Sequence, residues 1–390
     1  MNPIQNKKIA IVGGGPGGLT LARLLQVKGA TVIVYERDAH KDVRVQGATL
    51  DLHQDSGLKA IREAGLLKAF KANYRPGADN LRIVDQHARI AMDERGDTQD
   101  VAFDNEYFRP EIDRGPLRKI LLESLEPNTV VWDSHFKSMS PEGNGWKLEF
   151  HNGSTTYADL VVAADGANSK LRPYLTSIKP FFAGITAIEG AVYDSANVAP
   201  AMHQLLNGGK IFAFANEKSL IISSKGDGSM MFYTSCKTDE DWAVRCGIDF
   251  KNKEEVKTWF LHEFKGWDPI WLELFEKAAP NFIVRPQYCM PFDQQWEAQS
   301  NLTMLGDAAH LMPPYAGEGV NMAMQDALEL SVCLTSEEFS DTRSAIAAFE
   351  KQMCERSSAM AQMTMEQTAS LHSPQALSNM LAMFNTLDES

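Results

Sequence analysis

Apolar positions in this chain recur with two periods, and the switches between them mark out its elements. Residues 8–12 form a short, nearly continuous apolar run, as expected of a strand buried on both faces. Leu19, Leu21, Ala22, Leu24 and Leu25 then keep to one side of a helix, and residues 31–35 return to a strand pattern that stops at Glu36. The same strand signature recurs at 159–164, ending in Asp165-Gly166, and at 302–305, ending in Gly306-Asp307. A helical stripe of Ile120, Leu121, Leu122 and Leu125 comes after Arg114, and Pro116 suits its first turn. Trp146, Leu148 and Phe150 alternate with Lys147 and Glu149 before Asn152-Gly153, which predicts a hairpin.

Between residues 180 and 290 the runs are β-rich, including Leu220 to Ile222 and Met230 to Tyr233, with turns at Asn207-Gly208-Gly209 and Gly226-Asp227-Gly228. An antiparallel sheet is expected there. Val256, Trp259, Phe260 and Phe264 share a helical face, and Pro269 precedes Ile270, Trp271, Leu274 and Phe275, so two helices should pack behind it. Beyond Asp341 the sequence favours long helices, and Met353, Met360, Met363 and Met365 read as core filler at helical spacing.

With 390 residues and 44% apolar content, the chain can bury one large α/β core or two smaller ones. Its net charge of −13, with both signs interspersed, argues against a nucleic-acid surface or an anionic membrane face. Cys236, Cys246, Cys289, Cys333 and Cys354 are an odd number without a close pair, which suggests reduced thiols and no metal site. No apolar run approaches a membrane span and no signal segment opens the chain, so a cytoplasmic monomer acting on a small molecule is expected.

The chemistry concentrates at the strand ends. Gly13-Gly14-Gly15-Pro16-Gly17-Gly18 lies between a strand and a helix, where Gly13, Gly15, Pro16 and Gly18 would bring backbone amides to a diphosphate. Glu36, 18 residues beyond Gly18, is placed to accept from an adenosine ribose. Asp165 and the amides after it could serve a nucleotide, or the acid could simply cap a helix. Asp307 falls at the carboxyl end of a strand, where ligands of doubly wound folds bind. Pro314, Gly317 and Gly319 make a side-chain-poor loop, and the helix from Val320 and Asn321 onward would point its positive end at a negative ring. Together with the opening turn, this second signal specifies FAD. Arg114 is the further candidate for cofactor contact, ahead of Arg118, whereas His310 reads as structural.

The predicted fold is α/β: a Rossmann-type FAD-binding domain built from discontinuous segments, with an inserted antiparallel β-sheet substrate domain and C-terminal helices. The expected divisions are 1–75, 108–180 and 286–335 for the FAD domain, 76–107 and 181–285 for the substrate domain, and 336–390 for a helical strut.

In this ordered set of motifs the chain resembles the single-component, aromatic-hydroxylase-type FAD monooxygenases. Through Tyr35-Glu36-Arg37-Asp38, Gly47 to His53 and Gly306 to Pro314 it is most similar to the tetracycline-inactivating flavin monooxygenases. The resemblance implies that Glu36, Asp51, Arg114 and Asp307 contact FAD, and that Arg44 helps receive NADPH; Arg37, next to Glu36, is a further cofactor-binding candidate. It further implies reduction of FAD by NAD(P)H, addition of O₂ at flavin C4a and oxygen transfer to an electron-rich ring or enol. Such members are expected to grip the drug with glutamine, arginine and histidine side chains, but Glu189, Lys210 and Met231 stand at those substrate-binding positions here. Glu189 and Lys210 are then either a compensating pair or plain surface residues. No catalytic nucleophile is nominated. A halogenase is disfavoured, since Trp267 and Trp271 have the wrong spacing for its tryptophan motif. A flavoprotein oxidase or dehydrogenase, and a protein that only sequesters its ligand, remain as alternatives.

Overall fold

The computed structural model describes residues 2–43, 47, 49–94, 103, 105 and 108–388. A five-stranded parallel sheet runs in the order Leu302–Met304, Leu160–Ala163, Ile9–Val12, Val32–Tyr35, Val130–Val131. Its strands come from widely separated parts of the chain, so the nucleotide fold is indeed assembled from discontinuous segments. Ile9–Val12 and Leu160–Ala163 are buried along their whole length, which explains their unbroken apolar runs. The hairpin at Asn152-Gly153 joins Gly145–Phe150 to Thr155–Ala158 in a three-stranded antiparallel sheet.

A second large sheet has seven strands, in the order Ile283–Cys289, Phe181–Val192, Met230–Lys237, Lys218–Ser224, Lys210–Ala215, Leu81–Val84, Ile90–Glu94. Its pairings are antiparallel except that Lys210–Ala215 runs parallel to Leu81–Val84, a strand from a distant part of the chain. Because side chains alternate along each strand, the sheet has two different faces. One carries Ile188, Leu220, Ile222, Met230 and Phe232 against Val256, Phe260, Trp271, Leu274 and Phe275 of the helices behind. Phe260 and Phe275 stack with ring centroids 4.2 Å apart. The other face carries Glu189, Met231, Tyr233, Ser235, Lys210 and Phe212, by cross-strand register.

The chain then forms the helices Gly319–Thr335, Thr342–Leu371 and Ala376–Asp388. Asp341 caps the long helix by accepting from the Ser344 amide at 2.8 Å. The tail does more than brace. Leu371, Ala376 and Met380 pack on Leu81, Ile83 and Phe214, so it covers part of the sheet's second face. Of Met353, Met360, Met363 and Met365 only Met353 is fully buried, and Met363 is 39% exposed. Among the described residues no helix is long and apolar enough to cross a membrane.

Candidate functional site

The glycine turn is closed by backbone crowding. A Cβ on Gly13 would collide with the Ala164 carbonyl, and one on Gly18 with the Gly13 carbonyl. Gly15 differs: a Cβ there would meet nothing within 4 Å, and the helix Pro16–Val27 starts without a side-chain cap. An open approach to uncapped first-turn amides is what a diphosphate requires. Glu36, only 2% exposed, accepts from the Gly14 amide at 2.6 Å and the Asp38 amide at 3.0 Å. The acid therefore also holds the turn in shape. Arg37 is exposed, while Arg118 is buried and donates to Asp38 at 3.1 Å and to the Lys41 carbonyl at 2.8 Å. Arg118 braces this end instead of facing a ligand. Arg44 lies outside the described residues.

At the next strand end, Asp165 accepts from the Lys170 amide at 2.7 Å through one oxygen, while the other is buried with no partner. Burial raises its carboxyl above the ordinary range, against hydrogen bonds from Ser169 and Lys170. The helix expected directly after it begins only at Arg172–Leu175, because Ser169 accepts the Leu171 and Arg172 amides and folds the segment into a capped turn. Arg172, not singled out in the sequence, donates to the Ala308 carbonyl at 2.7 Å and the Asp307 carbonyl at 2.9 Å. It ties the second acidic turn to the third.

Asp307 is exposed at the start of the short helix Asp307–His310. Desolvation by the surrounding protein raises its carboxyl, opposed by the charges of His310, Arg114 and Arg172. Arg114 is exposed, its Nε 3.4 Å from where a Gly47 Cβ would stand. Beneath Asp307, Asp326 accepts from the Gly306 amide at 2.9 Å, meets His310 Nε2 at 2.5 Å and accepts from Arg356 at 2.7 Å. His310 is thus a buried structural ion-pair member. Pro314 and Gly317, the latter at φ +73°, form the turn before the helix Gly319–Thr335. Val320 lies in that helix's first turn. Asn321 is fully buried, accepting from the His53 amide at 2.9 Å and donating to the Asp51 carbonyl at 3.0 Å. Its side chain is committed to protein, which leaves only backbone for a ligand.

Asp51 pairs with His53 at 2.9 Å, and His53 faces Glu318 at 3.4 Å. Burial of Asp51 is outweighed by His53 and by the Lys210 charge, so its carboxyl is lowered. Across the strand pair from Asp51 lies Glu111, buried and ion-paired with Lys210. Burial raises Glu111, opposed by Lys210. Glu189 is buried and paired with Arg285. The pair suggested between Glu189 and Lys210 does not form: three strand spacings, about 14 Å, separate their strands. Neither is a plain surface residue. Met231 is buried on the same sheet face.

That face meets the nucleotide fold. The Tyr233 hydroxyl lies 3.8 Å from a Cβ built at Gly47, and the Gly226 amide donates to Asp113 at 2.9 Å. His372, buried at the end of the long helix, lies 3.0 Å from Ser235 and 2.8 Å from the Thr368 carbonyl. Burial lowers His372 to about 4, so it is neutral near pH 7, donating to Thr368 and accepting from Ser235. The ring of Tyr315, beside Pro314, stands edge-on to it at 5.1 Å. Nothing local in the sequence signals this contact.

An open glycine turn, an orphaned buried Asp165 oxygen and the Asp307 carboxylate, each just past the carboxyl end of a parallel strand, fit an elongated dinucleotide. A protein-family profile described as "FAD binding domain" matches residues 6–364. The chain belongs to the FAD binding domain family. Two relatives of this FAD-binding protein are Monooxygenase asqM of Emericella nidulans, 28% identical and covering 83% of each chain, and 6-hydroxynicotinate 3-monooxygenase of Pseudomonas fluorescens, 26% identical and covering 93% of this chain and 92% of the other. The crystal structure of tetracycline destructase Tet(51) matches at TM-score 0.72 and 19% identity, covering 96% of this chain and 94% of that one, which shows a shared fold. The flavoprotein is an FAD-dependent monooxygenase of the aromatic-hydroxylase type.

Proposed function

We propose that this monooxygenase hydroxylates an electron-rich aromatic or enol small molecule, with NAD(P)H and O₂ as co-substrates, at the sheet face carrying Tyr233 and Phe212. The observation that carries the reading is the Asp307 carboxylate just past the strand Leu302–Met304, within range of the charge of Arg114, which stands beside Gly47 and the Tyr233 hydroxyl of that face. Bound FAD supplies electron transfer and oxygen activation, and the protein supplies position. In this reading the amides around Gly15 hold the diphosphate, Glu36 and Arg37 the adenosine end, and Asp165 and Asp307 the middle. Asp51, Arg114 and the amides of Gly319 and Val320 flank the ring. The positive end of the Gly319–Thr335 helix favours negative charge there. Aromatic and aliphatic side chains on the sheet exclude water from the reacting ring.

A tetracycline is one electron-rich enol that meets this description, and antibiotic inactivation is the narrower form of the proposal. Five free cysteines fit a reducing compartment such as the cytoplasm, and the acidic chain fits a monomer that engages neither nucleic acid nor membrane. The test is oxidation of NADPH and NADH by the holoenzyme with simple phenols and with tetracyclines, under isotopically labelled O₂. One labelled oxygen atom in the product is expected. Stoichiometric hydrogen peroxide with unlabelled product would instead identify an oxidase.

A further inference from the structure

Charged side chains on the second face of the large sheet are neutralised within the protein. Lys210 is ion-paired with Glu111 and lies close enough to Asp51 to lower that carboxyl. Arg285 reaches along the sheet to the buried Glu189. At the margin, Arg75 meets Asp113 at 3.4 Å and donates to the Ser224 carbonyl at 2.8 Å. Lys237, at the outer end of its strand, pairs with Glu217. Among the described residues, each of these cations has its carboxylate. Arg114, exposed beside Gly47 and the Tyr233 hydroxyl, is assigned above to the flavin and acts on Asp307 through its charge.

A substrate carboxylate must exchange its hydration for a protein cation. On this wall it would compete with Glu111 for Lys210, and winning would leave a buried carboxylate unpaired; Arg285, half-exposed at the outer strand, meets Glu189 through its Nε. Glu111 already has one buried oxygen without a hydrogen-bond partner. Around Lys210, moreover, two acids outnumber it, Glu111 and Asp51; Glu318, beyond His53, is offset by the Arg109 charge. An anionic ring meets repulsion there, while an uncharged ring needs only Tyr233, Phe212, Met231 and the hydroxyl groups of the face.

We propose that the enzyme selects an uncharged aromatic over its carboxylated counterpart, and that Glu111 is the specificity-determining residue because it holds Lys210 out of reach of substrate. This rests on the substrate position proposed above. It assigns Glu111 no part in the oxygenation itself.

The experiment is equilibrium binding to the oxidised holoenzyme, followed by perturbation of flavin absorbance. The probes are phenol, catechol, resorcinol and 2-naphthol, each with its ring-carboxylated counterpart. Wild type should bind the uncharged members at least about tenfold more tightly. Glu111→Gln frees the lysine charge and should narrow or reverse that ratio; Glu111→Gln with Lys210→Met should restore the preference for uncharged rings. Flavin content and thermal melting establish that each variant is folded, and the double variant serves if the single one is not. Equal or tighter binding of the carboxylates by wild type, no binding of any uncharged probe, or a double variant that binds carboxylates as well as uncharged rings would each overturn the proposal. Binding is read apart from turnover: a preserved ratio without labelled oxygen in any product would sink the monooxygenase chemistry and leave the selectivity standing.

Discussion

Asp326→Asn perturbs the buried charge group under the Gly306-Asp307 turn. In the native protein one Asp326 oxygen receives both the Gly306 amide at 2.9 Å and His310 at 2.5 Å, and the other receives Arg356 at 2.7 Å. Asp326 is 0% exposed, so little solvent screening weakens these contacts. Removing one partner of a buried ion pair costs about 3–5 kcal/mol; asparagine keeps an acceptor for Gly306, which places the loss near about 3 kcal/mol. The pH dependence is more diagnostic. Burial alone would lower His310, but the Asp326 charge and hydrogen bond outweigh it and raise it above 6.5. A raised pKa gives stability that is full below 6.5 and is lost as pH rises through the folded value. Asp326 itself is lowered, so its contribution holds above 3.8 and is lost only as pH falls through its folded value. Without the carboxylate, burial governs His310 and the sign inverts: the variant should lose stability as pH falls through about 6.5. Urea unfolding of wild type and variant, from about pH 5.5 to about pH 8, reads both quantities. A loss under about 1 kcal/mol, with the same pH slope as wild type, would refute the assignment of this group as the support of the turn.

Asp307→Ala and Glu36→Ala should each weaken FAD retention, by about tenfold for one charge-assisted hydrogen bond. Flavin-to-protein ratio after gel filtration checks this, and full occupancy in both would remove these acids from the cofactor site. Gly18→Ala should fold poorly or purify colourless, since its Cβ meets the Gly13 carbonyl; a yellow, native-like variant would contradict the closed turn. Phe275→Ala, which removes a ring stacked on Phe260 and edge-on to Phe232, should cost about 3–5 kcal/mol in denaturant unfolding with FAD content unchanged in the folded fraction.

Features set by neighbours along the chain were legible in the sequence. The buried strands Ile9–Val12 and Leu160–Ala163 announce themselves as unbroken apolar runs, and the glycine turn by its place between strand and helix. Features set by sheet order were not. Whether Glu189 and Lys210 meet depends on two strands that intervene in space, and their true partners, Arg285 and Glu111, lie 96 and 99 residues away. Likewise Arg172 shows no periodic signal, since its value lies in two carbonyls of a turn 135 residues later. The helix that Asp165 could have capped starts only at Arg172 for a local reason: serine and aspartate side chains captured the amides before it.

Placing Ile9–Val12 at the centre of the parallel sheet has a consequence for synthesis. Its neighbour Leu160–Ala163 must wait for Leu302–Met304 to cover its other edge. A nascent chain therefore carries an unpaired, fully apolar strand edge through some 140 further residues of translation, an interval in which an unsheltered edge invites aggregation. The order in which the ribosome delivers these strands fixes how long that edge stands open.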